Sequence, residues 1–437
     1  MDPVHVPPPH AVEAVEQEIA DVAAEAGAAV SPRTLWLRSP DCLLQVLCCV
    51  AFCGHPAWNF ASLTRAFRGD EVLWGCIKDR IRRGGKTCLM ACSHIGDLSR
   101  VRWLLDRGAN MNAACKTYGT GRTAIMFACG SGHLEIVREL LGRGVDVNAA
   151  STKHGWTSLM WACHKGQLGV VRELLGQGAN ISATMTYGMN PLMQACKDGH
   201  LEVVRELLGQ GASVNAARTD DGTTPLMFAC WHLDIVRELL GRGADVNAAC
   251  TDDGMTSLMK ACLTGHLEVV RELLEQGADV NAALISDGTT SLTMACQKGH
   301  LDVVRELLEW GAIVDSALTG NFDMTSLMMA CENGHWEVVR ELLRQGADVN
   351  FAMTSGMTAL IWVCRHAFGD VEIAREMLEL GADMWACCEG NLVLARLLLT
   401  HHASKTADHD GKTAYDHVPG MWEDYEVLRD LKELVKP

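Results

Sequence analysis

The chain has 437 residues, 19 cysteines and a formal net charge of −16, and 48% of its residues are hydrophobic. The acidic balance argues against nucleic acid or an anionic membrane as the main partner, because both call for a basic face. No apolar run reaches the roughly 18 residues that a spanning helix needs, so no transmembrane segment is predicted.

Residues 1–33 are rich in Ala and Glu (VEAVEQEIADVAAEAG) and have few large apolar residues to dock them. They read as a disordered or loosely helical acidic tail. The opening MDPVHVPPPH lacks a basic stretch followed by an apolar core, so no secretory signal is expected.

Residues 34–83 are a helical N-terminal domain. Pro40 precedes an apolar helical run from Cys42 to Cys53, and HPAWNFASLTRAFRGDEVLWGCIKDRIRR supplies at least two more short helices. This order is similar to the F-box. Pro40, Leu43, Leu44, Val46 and Leu47 match its L-P-x-x-L-L-x-x-I-L opening, and Leu63, Phe67, Leu73 and Trp74 match its later apolar positions. Ser39 stands where the family has Leu, and the gap from Cys48 to Phe60 is atypical. The resemblance implies docking to the adaptor subunit of a cullin-type ubiquitin ligase through Pro40, Leu43 and Leu47. The same helices also fit a cap over the exposed core of the first repeat, which a stacked-repeat protein needs in any case.

From residue 84 to 386 one pattern recurs, best seen in Gly188 to Ala216, GMNPLMQACKDGHLEVVRELLGQGASVNA. Asn190, or Thr at the matching place, is a good N-cap. Leu192, Ala195 and Cys196 then share one face of a first helix, and Gly199 breaks it. Leu201, Val204, Leu207 and Leu208 give a second helix the same kind of face, and Gly211 sits where a left-handed cap is needed. Neither helix can bury its apolar face alone, so neighbouring units must stack. Units open at Gly85, Gly121, Gly155, Gly188, Gly222, Gly254, Gly288, Met324 and Gly356, at spacings of 32 to 36 residues by subtraction. The pattern resembles the ankyrin repeat, with its T-P-L-H present as T-S-L-M (Thr157 to Met160, Thr256 to Met259) and its L-L-x-x-G-A-D-V-N nearly intact at Leu273 to Asn281. The resemblance implies an all-α solenoid of about nine to eleven helix-turn-helix units with a protein-binding role.

Irregularities mark three places. CWHLDIV replaces CKDGHLEVV in the Gly222 unit, so its inter-helix turn is two residues short, and RHAFG lengthens the turn after Cys364. At Asp383–Met384 a finger and the start of a helix look deleted. Residues 387–437 read as a degenerate repeat and a C-terminal capping repeat.

Eight cysteines fall at one repeat position: Cys129, Cys163, Cys196, Cys230, Cys262, Cys296, Cys331 and Cys364. That place wants a small apolar residue between helices, and free Cys behaves as one. Equivalent residues of stacked helices lie about 10 Å apart, beyond disulfide reach. Reduced thiols of this kind imply an intracellular protein, cytoplasmic or nuclear.

The residue before Ala-Cys varies on this fixed background: Phe127, Trp161, Gln194, Phe228, Lys260, Met294, Met329 and Trp362. The resemblance to ankyrin stacks implies that this residue projects from the first helix toward the inner groove, and large apolar side chains are enriched in protein-binding surfaces. These eight residues are the candidate partner-binding stripe; mutual support within the stack is the alternative use. Finger tips form a second variable set: Tyr118, Lys153-His154, Thr186-Tyr187, Asp220-Asp221, Asp252-Asp253, Ser286-Asp287 and Phe322-Asp323. Asp before Gly is ordinary turn chemistry. His133, His200, His266, His300 and His335 recur once per repeat and read as structural rather than metal-binding. Cys387-Cys388 with His401-His402 lacks zinc-ligand spacing. No catalytic or cofactor motif is found, so neither an enzyme nor a cofactor or metal is expected.

Overall fold

The computed structural model describes residues 87–115, 120–318, 323–365 and 371–382. The acidic tail, the segment carrying Pro40, Leu43 and Leu47, the break at Asp383–Met384 and residues 387–437 lie outside them. The chain divides into two units, residues 1–186 and 187–437.

Both units are stacks of antiparallel helix pairs. The first contains α1 (Cys88–Ile95), α2 (Leu98–Asp106), α3 (Ala124–Ser131), α4 (Leu134–Gly142), α5 (Ser158–His164) and α6 (Leu168–Gly176). The second contains α7 (Pro191–Asp198), α8 (Leu201–Gly209), α9 (Pro225–Phe228), α10 (Leu233–Gly241), α11 (Ser257–Thr264), α12 (Leu267–Glu275), α13 (Ser291–Lys298), α14 (Leu301–Glu309), α15 (Ser326–Glu332), α16 (Trp336–Arg344), α17 (Ala359–Arg365) and α18 (Val371–Glu379). Among the described residues the only β-structure is isolated bridges at the finger bases, such as Ala249 with Thr256.

Caps set the helix starts. Asn190 Oδ1 accepts from the Met193 amide at 2.9 Å, and the Thr157 and Thr256 hydroxyls accept at 3.3 Å from Met160 and Met259. Thr224 and Thr358 hold the same place, but their hydroxyls are buried with no hydrogen-bond partner among the described residues. Gly199 ends α7 in the left-handed region at φ 81°, as the sequence predicts. A Cβ there would lie 2.6 Å from the His232 ring, so the position needs glycine twice over. His133, His300 and His335 pack in the same way on the turn glycines Gly96, Gly265 and Gly299 of the repeat before. His133 Nε2 bonds to the His94 carbonyl at 3.0 Å and His335 Nε2 to the Gln297 carbonyl at 3.0 Å, an architectural use of these two rings.

The register differs from the sequence reading at one repeat. Asp323, not Met324, takes the place of the finger glycine. Its φ of 31° is the only positive value at a non-glycine among the described residues. Leu318 N donates to Met324 O, just as Cys250 N donates to Met255 O, the residue after Gly254. Aspartate is one of the few side chains that tolerates this conformation. In the Gly222 unit the missing residues shorten the helix itself: α9 has only four residues, and Trp231 just beyond it is 48% exposed.

The core runs between the helix layers. Cys129, Cys163, Cys196, Cys230, Cys262, Cys296 and Cys331 have essentially no exposed surface. Burial pushes the thiols of Cys129, Cys196, Cys230, Cys262, Cys296 and Cys331 up, to about 12 for Cys230, so they stay protonated and inert. Outside the core, arginines of the second helices reach glutamates of the next repeat, and Arg138, Arg205 and Arg271 also pair with the glutamate three residues earlier on their own helix. The pairs between repeats are Arg138–Glu173 at 2.8 Å in the first unit, and Arg237–Glu272 and Arg271–Glu306, each at 2.7 Å, in the second.

The asparagines of the V-N positions make a further link. Asn247 Nδ2 donates to the Gly277 carbonyl at 3.0 Å and its Oδ1 accepts from the Asp279 amide at 2.8 Å, and Asn148 and Asn281 repeat the pattern. Asn247→Ala removes both bonds. It is expected to cost about 1–2 kcal/mol, read as a lower urea midpoint at unchanged helicity.

Candidate protein-binding face

The stripe splits in two when exposure is considered. Phe127, Gln194 and Met294 are buried, at 4%, 5% and 5% exposed. Trp161, Phe228, Lys260, Met329 and Trp362 are half-buried and keep surface available. The Gln194 amide donates to Asp198 one turn on, and the Lys260 ammonium lies 5.9 Å from the Phe228 ring centre. Some members thus lean on their neighbours, as the alternative use anticipates, and others face outward.

In the first unit the stripe belongs to a larger cluster. The Arg122 guanidinium lies 4.3 Å from the Phe127 ring centre and 3.7 Å from that of Trp161. Trp156 stacks on Trp161 with centroids 4.5 Å apart, and His164 meets both tryptophans edge-on. The His94 ring stands edge-on to Phe127 at 5.8 Å. Arg122 and Trp156 each follow the finger glycine, so the finger brings them over the start of the first helix. Burial draws the Arg122 pKa down from the ordinary arginine value, yet arginine stays charged. Arg122 Nε and Trp161 Nε1 are buried and have no hydrogen-bond partner. Leaving such a donor unmet costs about 1–3 kcal/mol.

Sequence reasoning followed one position per repeat and so missed Arg122 and Trp156. The signal was present, because the residue after the finger glycine also varies: Arg122, Trp156, Met189, Thr223, Met255, Thr289 and Met357.

The later finger tips are mostly engaged in holding their turns. Asp221 accepts from the Thr223 amide at 2.9 Å, Asp253 from Met255 at 2.8 Å and Asp287 from Thr289 at 3.0 Å. Arg218 pairs with Asp220 and holds its carboxyl below the usual range. Tyr187 is 57% exposed, while Tyr118 and Phe322 lie outside the described residues. Cys250, Asp252 and Asp253 bring ligand-type atoms within 4.8 Å of one another. The Cys250 thiol is buried with its pKa raised, and Asp253 is taken up by the turn, so the set is poorly suited to a metal. Cys387, Cys388, His401 and His402 lie outside the described residues.

No described helix is long and apolar enough to cross a membrane. A family model described as ankyrin repeats (3 copies) matches residues 88–185, 170–250, 233–317 and 312–385. None of the curated proteins compared with the chain matches it.

Proposed function

Since the chain belongs to the ankyrin-repeat family, whose members act in protein–protein interaction, we propose that it is a non-catalytic scaffold holding a partner protein against the inner face of its repeats. The observation that carries this reading is the stripe. Residues around it are nearly invariant from repeat to repeat, while Trp161, Phe228, Lys260, Met329 and Trp362 vary in chemistry and remain half-exposed. Half-exposed tryptophans are the side chains most often found as binding hot spots. An intracellular location is part of this reading, and the 11 free, buried cysteines found among the described residues support it.

Trp161→Ala and Trp362→Ala are each expected to weaken capture of the partner by roughly tenfold or more. The partner is first isolated by crosslinking to the full chain and then titrated against each variant. A large fall in melting temperature with unchanged capture would return the tryptophans to a purely architectural role.

A second reading rests on Pro40, Leu43 and Leu47. If the F-box-like segment docks a ubiquitin-ligase adaptor, the repeats become the substrate arm. In that case full-length protein carrying Leu43→Asp and Leu47→Asp loses ligase subunits from a pull-down but keeps its groove partners. Identical retrieval by both proteins, with no ligase subunit, leaves the segment as a cap.

A further inference from the structure

We propose that the Arg122 cluster receives a carboxylate, so that the first unit's inner face takes an acidic segment of a partner protein. This rests on the binding-face reading and adds the chemistry of the occupant.

The guanidinium carbon lies within cation–π distance of both the Phe127 and the Trp161 rings, a contact that leaves an arginine's N–H edge as its hydrogen-bonding side. That edge is the fork that fits a carboxylate. Its Nε is buried and unmet, and so is the Nε1 of the tryptophan beneath it. Neither donor has an acceptor among the described residues. Residues 87–96, 120–133 and 149–167, described parts of the fingers and first helices of this unit, contain no Asp or Glu. They do contain Lys153 and Lys165 besides Arg122. Later fingers differ, with Asp220, Asp221, Asp252, Asp253 and Asp287.

Gly130 keeps the edge open. A Cβ there would lie 3.6 Å from Arg122 Nη2 and 3.8 Å from the Trp161 ring, ordinary contact distances. The glycine conformation is not otherwise required, since its φ is not positive. In a later repeat the residue after Ala-Cys is Glu332. Here the place is empty of side chain and therefore of counter-charge. A carboxylate brought by a partner meets a desolvated, preorganised cation, where electrostatic complementarity gives specificity.

The test uses the full-length protein and three fluorescent peptides, of alternating glutamate and alanine, glutamine and alanine, and lysine and alanine, followed by anisotropy. The glutamate peptide is expected to bind roughly tenfold or more tightly than the glutamine peptide, and more weakly as salt rises. Arg122→Ala should erase that preference. Arg122→Lys should lose most of it, because the ammonium has no fork. Gly130→Glu provides an internal carboxylate and should abolish glutamate-peptide binding at unchanged helicity, which covers the case in which Arg122→Ala unfolds. Equal binding of the glutamate and glutamine peptides, preference for the lysine peptide, or a preference that survives Gly130→Glu overturns the proposal. If the glutamine peptide binds equally and Trp161→Ala abolishes it, the face stands and only its acid selectivity falls. If no peptide binds, the acidic-segment proposal falls together with this unit's share of the binding face.

Discussion

Cys296→Asp is expected to unfold the centre of the second unit, at a cost of roughly 4 kcal/mol or more at neutral pH. Cys296 is fully buried at the first-helix layer, where its own thiol is already held protonated by burial. A carboxylate there has no cation to meet. Its folded pKa would rise above the unfolded value, so the sign of the pH dependence is fixed. The penalty is smallest below about pH 4, where the unfolded carboxyl is also protonated, and grows as pH rises towards the folded pKa. Cys296→Ala keeps a small apolar side chain and should cost only about 1 kcal/mol. Urea unfolding at pH 4 and pH 7 separates the outcomes. A Cys296→Asp protein as stable as the alanine variant at neutral pH would mean that water reaches this layer.

Two glycines predict the next largest effect. Gly188 and Gly277 both lie in the left-handed region, at φ 72° and 86°. Around Gly277 a Cβ would meet nothing within 4 Å, so Gly277→Ala bears only the conformational cost, about 1–2 kcal/mol. At Gly188 a Cβ would fall 2.6 Å from the backbone nitrogen of Thr219 in the next finger. Backbone cannot swing away as a side-chain tip can, so Gly188→Ala should cost roughly 3 kcal/mol or more. Hydrogen exchange should show the loss concentrated in the Gly188 and Gly222 fingers. Equal costs at the two sites would mean that the fingers separate freely.

Much of this architecture was legible because each repeat states it again. Asn190 and the threonines cap, Gly199 and Gly211 end helices, and the Leu, Ala and Cys positions fill the core, all as periodicity implies. The register slipped at Met324 because glycine was the marker, and Asp323 does the same backbone work under another name. Arg205 bonds both Glu202 on its own helix and Glu238, more than thirty residues on, but not the adjacent Glu206. Adjacent residues on a helix do not face each other; the Glu202 partner follows from i,i+3 spacing, while the Glu238 partner depends on the stacking distance. The candidate face was half legible for a related reason. Tracking one variable position found Trp161, but the finger that folds Arg122 and Trp156 onto it belongs to a different part of the repeat.

The four-residue helix α9 has a consequence for how the second unit comes apart. A stack of repeats behaves as a one-dimensional chain of nearest-neighbour couplings, and its cooperativity is limited by the weakest of them. With half the usual helix to share with α7 and α11, the Gly222 repeat is that junction. Thermal or mechanical opening should begin there and divide the unit into two blocks that melt separately. Lengthening α9 to the common pattern should merge the two transitions into one.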